Sequence, residues 1–161
     1  MHAARATING SLHIDIVMQS AIDFEQLVEA IGDAVVISDA AGDITYWNPA
    51  ATRMFGYTQD EALGKTLDLI IPERLRARHW EGYHKTMATG QTRYGNDVLR
   101  VPAVDKGGRS LSIAFTVALL RSAQGELNGI VAVIRDETAR FQEERALKKR
   151  ITELEAQAQQ S

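Results

Sequence analysis

Hydrophobic and polar positions change their spacing several times along this chain, and each change predicts an element. Phe24, Leu27, Val28 and Ile31 recur at helical intervals behind Asp23, a good N-cap, and Gly32 stops the run. A short amphipathic helix therefore leads into the domain. The stretch AVVISDAAGDITYWNP is two β-rich runs around Ala40-Ala41-Gly42-Asp43, a hairpin signal in which glycine takes up the positive φ of the turn. AATRMFGYTQDEALG then reads as two short helices, the first closed by Gly56, the second opened by Thr58 and Glu61 as a capping box. The longest helix inside the domain runs from Pro72, a good first-turn residue, to Gly90, a good stop. Three strands follow, Asn96 to Asp105, Arg109 to Leu120 and Leu127 to Arg135, separated by turn-like KGG and SAQGE segments.

Two of these strands show more. Leu111, Ile113, Phe115, Val117 and Leu119 alternate with Ser112, Ala114, Thr116 and Ala118, so one face is bulky and turns to the core while the other is small. Those small residues leave room on the outer sheet face for a flanking helix or a second subunit. Pro102 has no N–H to give a central ladder, which predicts an edge strand. The sum is an α+β domain of five antiparallel strands with helices gathered on one face.

Beyond Asp136 the pattern is helical again, capped by Asp136 or Thr138. Leu147, Ile151, Leu154 and Ala158 lie at 4, 3, 4 spacing, a heptad seam of about two heptads that suits a parallel homodimer. Residues 1–21 carry little periodicity and form an N-terminal arm. The division expected is thus arm 1–21, domain 22–138 and C-terminal amphipathic, coiled-coil helix 139–161.

Composition removes several classes of function. At 161 residues and 45% apolar content the chain buries one ordinary core. A net charge of -3 supplies no basic field for direct nucleic-acid binding. The absence of cysteine excludes disulfides, thiolate metal sites and any flavin photochemistry that needs a thiol adduct. No apolar run approaches the roughly 20 residues of a membrane span, and no secretory h-region is visible, so a soluble, cytoplasmic protein is expected. No Walker loop, GxGxxG, HExxH or helix-turn-helix appears, and no acid and base groups can be assembled into a catalytic set; a non-enzymatic protein acting on a partner is expected.

The order of elements, together with GDITYWNPAATRMFGYTQDEALGK, IPERLRARH, the KGG hairpin and IVAVIRDETAR, resembles the PAS (Per-ARNT-Sim) family of sensor domains over about Ile22 to Thr138. The resemblance implies a sheet in spatial order 2-1-5-4-3, with the Pro102 strand at an edge. It also implies signalling through terminal helices to a downstream effector protein or domain, regulation of transcription through a partner included.

The segment Ile71 to His79 further resembles haem-binding PAS sensors, in which the proximal histidine lies on this helix. Helical geometry puts Leu75, His79, Tyr83 and Thr86 on one stripe, Trp80 and Met87 on its flank, and His84 further round. The two histidines are five apart, so they cannot hold one metal from a single helical face. One inward imidazole nonetheless suffices for haem iron. His79 is the candidate ligand of haem b, with Tyr83 beside it; the resemblance puts Lys85, and His84 next to it, near the propionates. Leu99, Val101, Ile113, Phe115 and Val117 would wall the far side, an apolar surface that suits carbon monoxide or nitric oxide better than oxygen. Two other readings stay open: a cofactor-free PAS dimerisation or interaction scaffold, and a flavin-binding redox sensor. Trp47 and Asn48 are compatible with the latter, though a strand-end Trp-Asn-Pro also makes a structural corner. Trp80 reads as packing, with an indole N–H in need of an acceptor if buried.

Overall fold

The computed structural model describes residues 22–92 and 97–159. The expected arm at 1–21 and the start of the third strand at Asn96 lie outside the described residues. In chain order the elements are α1 (Phe24–Ala30), β1 (Ala34–Asp39), β2 (Ile44–Trp47), α2 (Pro49–Phe55), α3 (Gln59–Ala62), a 3-10 turn (Leu67–Leu69), α4 (Glu73–Thr89), β3 (Leu99–Val104), β4 (Ser110–Arg121), β5 (Leu127–Asp136) and α5 (Thr138–Ala158). The strands form one antiparallel sheet in the order β2-β1-β5-β4-β3. Pro102 does sit on an edge strand, where its missing N–H costs no ladder bond.

Local chemistry accounts for most of the boundaries. Asp23 accepts from the Gln26 N–H and caps α1. Thr58 and Glu61 form the reciprocal capping box of α3. Gly42 takes φ +92° in the β1–β2 turn, and Gly56 and Gly90 close α2 and α4 in the left-handed region. Three boundaries differ from the expectation: α5 begins at Thr138 behind Glu137, which makes no side-chain cap bond, and the other two lie at α4. Pro72 is the N-cap of α4 rather than a residue of its first turn, and the 3-10 turn before it has no apolar period of its own to announce it.

Residues directly opposite in an antiparallel ladder share a face, so the register sorts the sheet. Ala34 pairs with Ile134, Val36 with Ala132 and with Trp47, Phe115 with Ile134, and Ala103 with Leu111. These side chains face α2, α3 and the 3-10 turn, and the core they build is filled by Ile44, Trp47, Ala51, Phe55, Ala62 and Ile70. Asn48 fastens the corner after β2. Its Oδ1 accepts from the Val35 and Ala51 N–H groups, both at 2.9 Å, and its Nδ2 donates to the carbonyls of Val28 and Asp33 at 3.1 Å. Trp47 Nε1 donates to Thr52 Oγ1 and the Tyr57 carbonyl.

Opposite that core, the outer sheet face is less bare than its small residues imply. Ala114 lies between Arg100 on β3 and Arg135 on β5 and is buried. Arg135 is bound to Asp33 at 2.7 Å and Arg100 to Glu137 at 3.0 Å. Ala114 is thus flanked across the ladder by two arginines whose guanidinium groups are held by those pairs. Ala118 and Val133 remain exposed. Two helices also keep apolar surface in water: no residue of α1 or α5 is buried. Phe24 and Leu27 are uncovered, because α1 touches the rest of the fold through half-buried Val28 and through Ile31 just past its end. Among the described residues no helix is long and apolar enough to cross a membrane.

Candidate functional site

Helix α4 is tied down along one flank. Arg76 donates through Nε to the Ile71 carbonyl at 3.2 Å and through Nη2 to the Asp68 carbonyl at 3.1 Å. One turn on, Trp80 Nε1 donates to Asp68 Oδ1 at 2.9 Å, the acceptor its indole needed. The Trp80 ring lies against Gly42, so closely that a Cβ on that glycine would stand 2.2 Å from Cζ3. Three residues further, the Tyr83 hydroxyl donates to the Asp39 carbonyl and shares a hydrogen bond with Ser38 Oγ at 2.9 Å. Positions 76, 80 and 83 therefore pin the helix to the 3-10 turn and the β1–β2 hairpin. Burial and two nearby carboxylates hold the Tyr83 phenol above its ordinary pKa, the Ser38 bond opposing them, so it stays protonated and able to donate.

His79 occupies the neighbouring stripe. Its ring packs edge-on to Trp80, centroids 4.9 Å apart, and lies 5.8 Å from the Tyr83 ring. Its Nδ1 is buried and has no hydrogen-bond partner. Desolvation lowers the pKa below its ordinary 6.5, against a smaller raising effect of Asp68, with His84 adding slightly to the lowering. At neutral pH the group is thus an uncharged imidazole with a buried nitrogen left over, an arrangement that costs about 1–3 kcal/mol unless something binds it.

The remaining site candidates separate into two groups. Leu99 pairs with Phe115 and Val101 with Ile113, while Val117 lies on the same face opposite Ala132, so the five expected wall residues do share the inner face of β3 and β4. Ile113 is buried, Leu99, Phe115 and Val117 are half-buried, and Val101 is 38% exposed despite facing inward. With Tyr83 the sole buried residue of α4, this end of the core is thinly covered. His84 and Lys85 are exposed, and the His84 ring stacks on Trp80 at 5.9 Å. Tyr83 is beside His79, but its hydroxyl is engaged in holding the hairpin.

Sequence reasoning missed three participants. Gly42 as the seat of Trp80 and Asp68 as the joint acceptor have no local signature, since each meaning arises from a partner far along the chain. The third is Glu137, at the start of α5. It pairs with Arg100 of β3 and with Arg140, while its N–H donates to the Ser112 carbonyl at 2.8 Å. Thr138 Oγ1 accepts from the Ser112 N–H at 3.0 Å. Both wall strands, β3 through Arg100 and β4 through Ser112, are thereby connected to the root of the exit helix. A separate cleft of about 540 Å³ lies between the 3-10 turn and the β3–β4 turn, lined by Lys65, Asp68, Leu69, Arg76, Asp105 and Lys106. Apart from Lys65 its charges are paired, Arg76 with Asp68, Lys106 with Glu61 and Asp105 with Arg109.

The sheet order, the helical layer on one side and the helix leaving β5 define a sensor-domain class, and the chain belongs to the PAS family: the model of the PAS fold matches residues 22–136. An uncharacterised protein of Azorhizobium caulinodans is 31% identical over 118 residues, 73% of this chain and 16% of that protein. The oxygen sensor protein DosP of Escherichia coli is 28% identical over 115 residues, 71% of this chain and 14% of that protein. The chain thus matches a small part of each of these relatives. Among solved structures, a PAS domain from Colwellia psychrerythraea superposes with a TM-score of 0.63 at 17% identity, over 72% of this chain and 95% of that one. The chain is a PAS sensor module of the kind found in signalling proteins.

Proposed function

We propose that this module senses a small ligand through haem b held at His79, and that it passes the result through α5 to a downstream effector as a homodimer in the cytoplasm. The observation that carries the reading is the buried, unpartnered Nδ1 of a neutral imidazole. A neutral imidazole nitrogen is the donor that haem iron takes, and the iron, when bound, supplies an open position for a diatomic gas. Arg76, Trp80 and Tyr83 fix the rotation of α4 and so aim the imidazole. Leu99, Val101, Ile113, Phe115 and Val117 offer an apolar wall with no side-chain donor, which favours carbon monoxide or nitric oxide over oxygen. Lys85 and His84 lie exposed on the same helix, free to meet the propionates. Flavin is the weaker fit, because Asn48 and Trp47 already use their polar atoms inside the fold. The exposed apolar residues of α1 and α5 support the dimer, through α5 and the outer sheet face, and they would equally serve a cofactor-free scaffold.

Transmission needs only that the ligand favour one of two positions of β3 over the other. The Arg100–Glu137–Arg140 pairs give β3 a direct hold on α5. Titration of the purified protein with hemin tests the cofactor. Saturation at one equivalent with a Soret band is expected, with the band weakened at least tenfold in His79→Ala while circular dichroism shows the fold intact. A Soret band unchanged by that substitution, or none at all in folded protein, overturns the haem reading and leaves the scaffold.

A further inference from the structure

The cleft between the 3-10 turn and the β3–β4 turn is separate from the His79 site, and His79 does not line it. Backbone hydrogen bonds hold both of its walls in place. On one side the Val104 N–H donates to the Ile70 carbonyl at 3.0 Å and the Lys106 N–H to the Phe55 carbonyl at 2.8 Å, so the end of β3 is fastened to the helical layer. On the other, the Gly64 N–H donates to the Ile44 carbonyl and the Ile44 N–H to the Lys65 carbonyl, both at 2.8 Å, and the Leu67 N–H reaches the Gly42 carbonyl at 3.3 Å. The cleft is therefore preformed. Its volume of about 540 Å³ falls within the roughly 300–1,000 Å³ of small-molecule sites.

Its polar groups divide into those already engaged and those left over. Asp105 accepts from Arg109 at both oxygens, from the N–H at 2.8 Å and from Nε at 2.9 Å. Lys106 is bound to Glu61 and lies over the Tyr57 ring, 5.8 Å from its centroid. Asp68 accepts from Trp80, and its Oδ1 stands 3.7 Å from Arg76 Nε. Arg76 spends Nε and Nη2 on two carbonyls, which leaves Nη1. Among the described residues Lys65 Nζ, Thr66 Oγ1 and the Tyr57 hydroxyl have no hydrogen bond or ion pair. What remains is thus a set of hydrogen-bond donors, two of them cationic, in a cleft whose three cations outnumber its two carboxylates. That balance selects an anion. Tyr57, Leu69 and Val104 are half-buried and supply apolar surface beside it.

We propose that this cleft binds a small organic anion, its carboxylate or phosphate head on Lys65 and Arg76 and its apolar body against Tyr57, Leu69 and Val104. The head gains charge-assisted bonds from two cations that no protein carboxylate fully occupies. The site stands whether or not His79 holds haem. Arg76 and Asp68 also tie down α4, so occupancy of the cleft is read at Trp80, whose indole N–H rests on Asp68.

The test is a proton–nitrogen NMR titration of the whole chain, free of hemin. Benzoate and phenyl phosphate carry head and body, inorganic phosphate the head alone and benzyl alcohol the body alone. Saturable shifts are expected at the Lys65, Thr66 and Leu69 amides and at the Trp80 indole, with benzoate or phenyl phosphate binding about tenfold more tightly than either half. Whichever of the two binds better tells a carboxylate ligand from a phosphate one. Lys65 is exposed, so Lys65→Ala leaves the fold intact; it weakens binding about tenfold, Lys65→Arg keeps it within about threefold, and Lys149→Ala on α5 leaves it unchanged. Benzyl alcohol binding as well as the anions, indifference to Lys65→Ala, or no saturable shift up to about 20 mM overturns the inference. Shifts that chloride reproduces at equal ionic strength overturn it too, as the mark of an adventitious ion only.

Discussion

Replacing Gly42 by alanine probes the contact that aims α4. Gly42 sits at φ +92°, and an added Cβ would stand 2.2 Å from Cζ3 and 2.4 Å from Cη2 of Trp80. The backbone conformation alone costs an L-residue about 1–2 kcal/mol. The ring must also move, an overpacking cost of about 1–3 kcal/mol. Moving it stretches the Trp80 Nε1 to Asp68 Oδ1 bond, which contributes about 1 kcal/mol. Together the loss is about 3–6 kcal/mol, a large fraction of the roughly 5–15 kcal/mol that holds a domain folded. In urea titration followed by tryptophan fluorescence the midpoint falls by about 2 M. A double-mutant cycle separates the parts. Trp80→Phe removes both the clashing ring atoms and the Nε1 donor to Asp68, so Gly42→Ala costs about 2–4 kcal/mol less in that background, the conformational penalty remaining. A loss below about 1 kcal/mol in the single variant, or strict additivity in the cycle, refutes the claim that Trp80 is seated on Gly42. Should the haem reading hold, the same substitution also weakens hemin binding, because His79 follows Trp80 on the helix.

Two further expectations concern buried polar groups. Asn48→Ala removes four hydrogen bonds from a side chain that is 1% exposed and strands the Val35 N–H, so thermal and urea unfolding should show a loss of about 3–4 kcal/mol. The folded-state pKa of His79 lies below the 6.5 of the unfolded chain, chiefly through desolvation. Above 6.5 neither state binds the proton and the contribution is constant; as pH falls below 6.5 the unfolded chain takes up the proton first, so stability declines until the folded pKa is reached. The haem-free protein should therefore lose urea resistance on acidification in that window, and His79→Phe should flatten this part of the pH profile; an equal slope in both refutes the burial of the imidazole.

Whatever follows from spacing and from one residue's own chemistry was legible along the chain. Asp23, Thr58 with Glu61, Gly56 and Gly90 act on backbone groups within a few residues, so their meaning as caps and stops is local. The alternation in β4 fixed which side chains face inward, because the pleat permits nothing else, and Pro102 marked an edge by the hydrogen it lacks. The strand order and the stripe carrying His79 came with the family resemblance and the helical repeat. Tertiary structure decided what depends on distant partners. Gly42 becomes the seat of Trp80, Tyr83 becomes a tie to Ser38 and Asp39, and Ala114 is flanked across the ladder by two arginines anchored elsewhere. The unpartnered nitrogen of His79 belongs with these: a periodic pattern tells which way a side chain points, but whether its polar atom finds a partner depends on everything the fold brings around it.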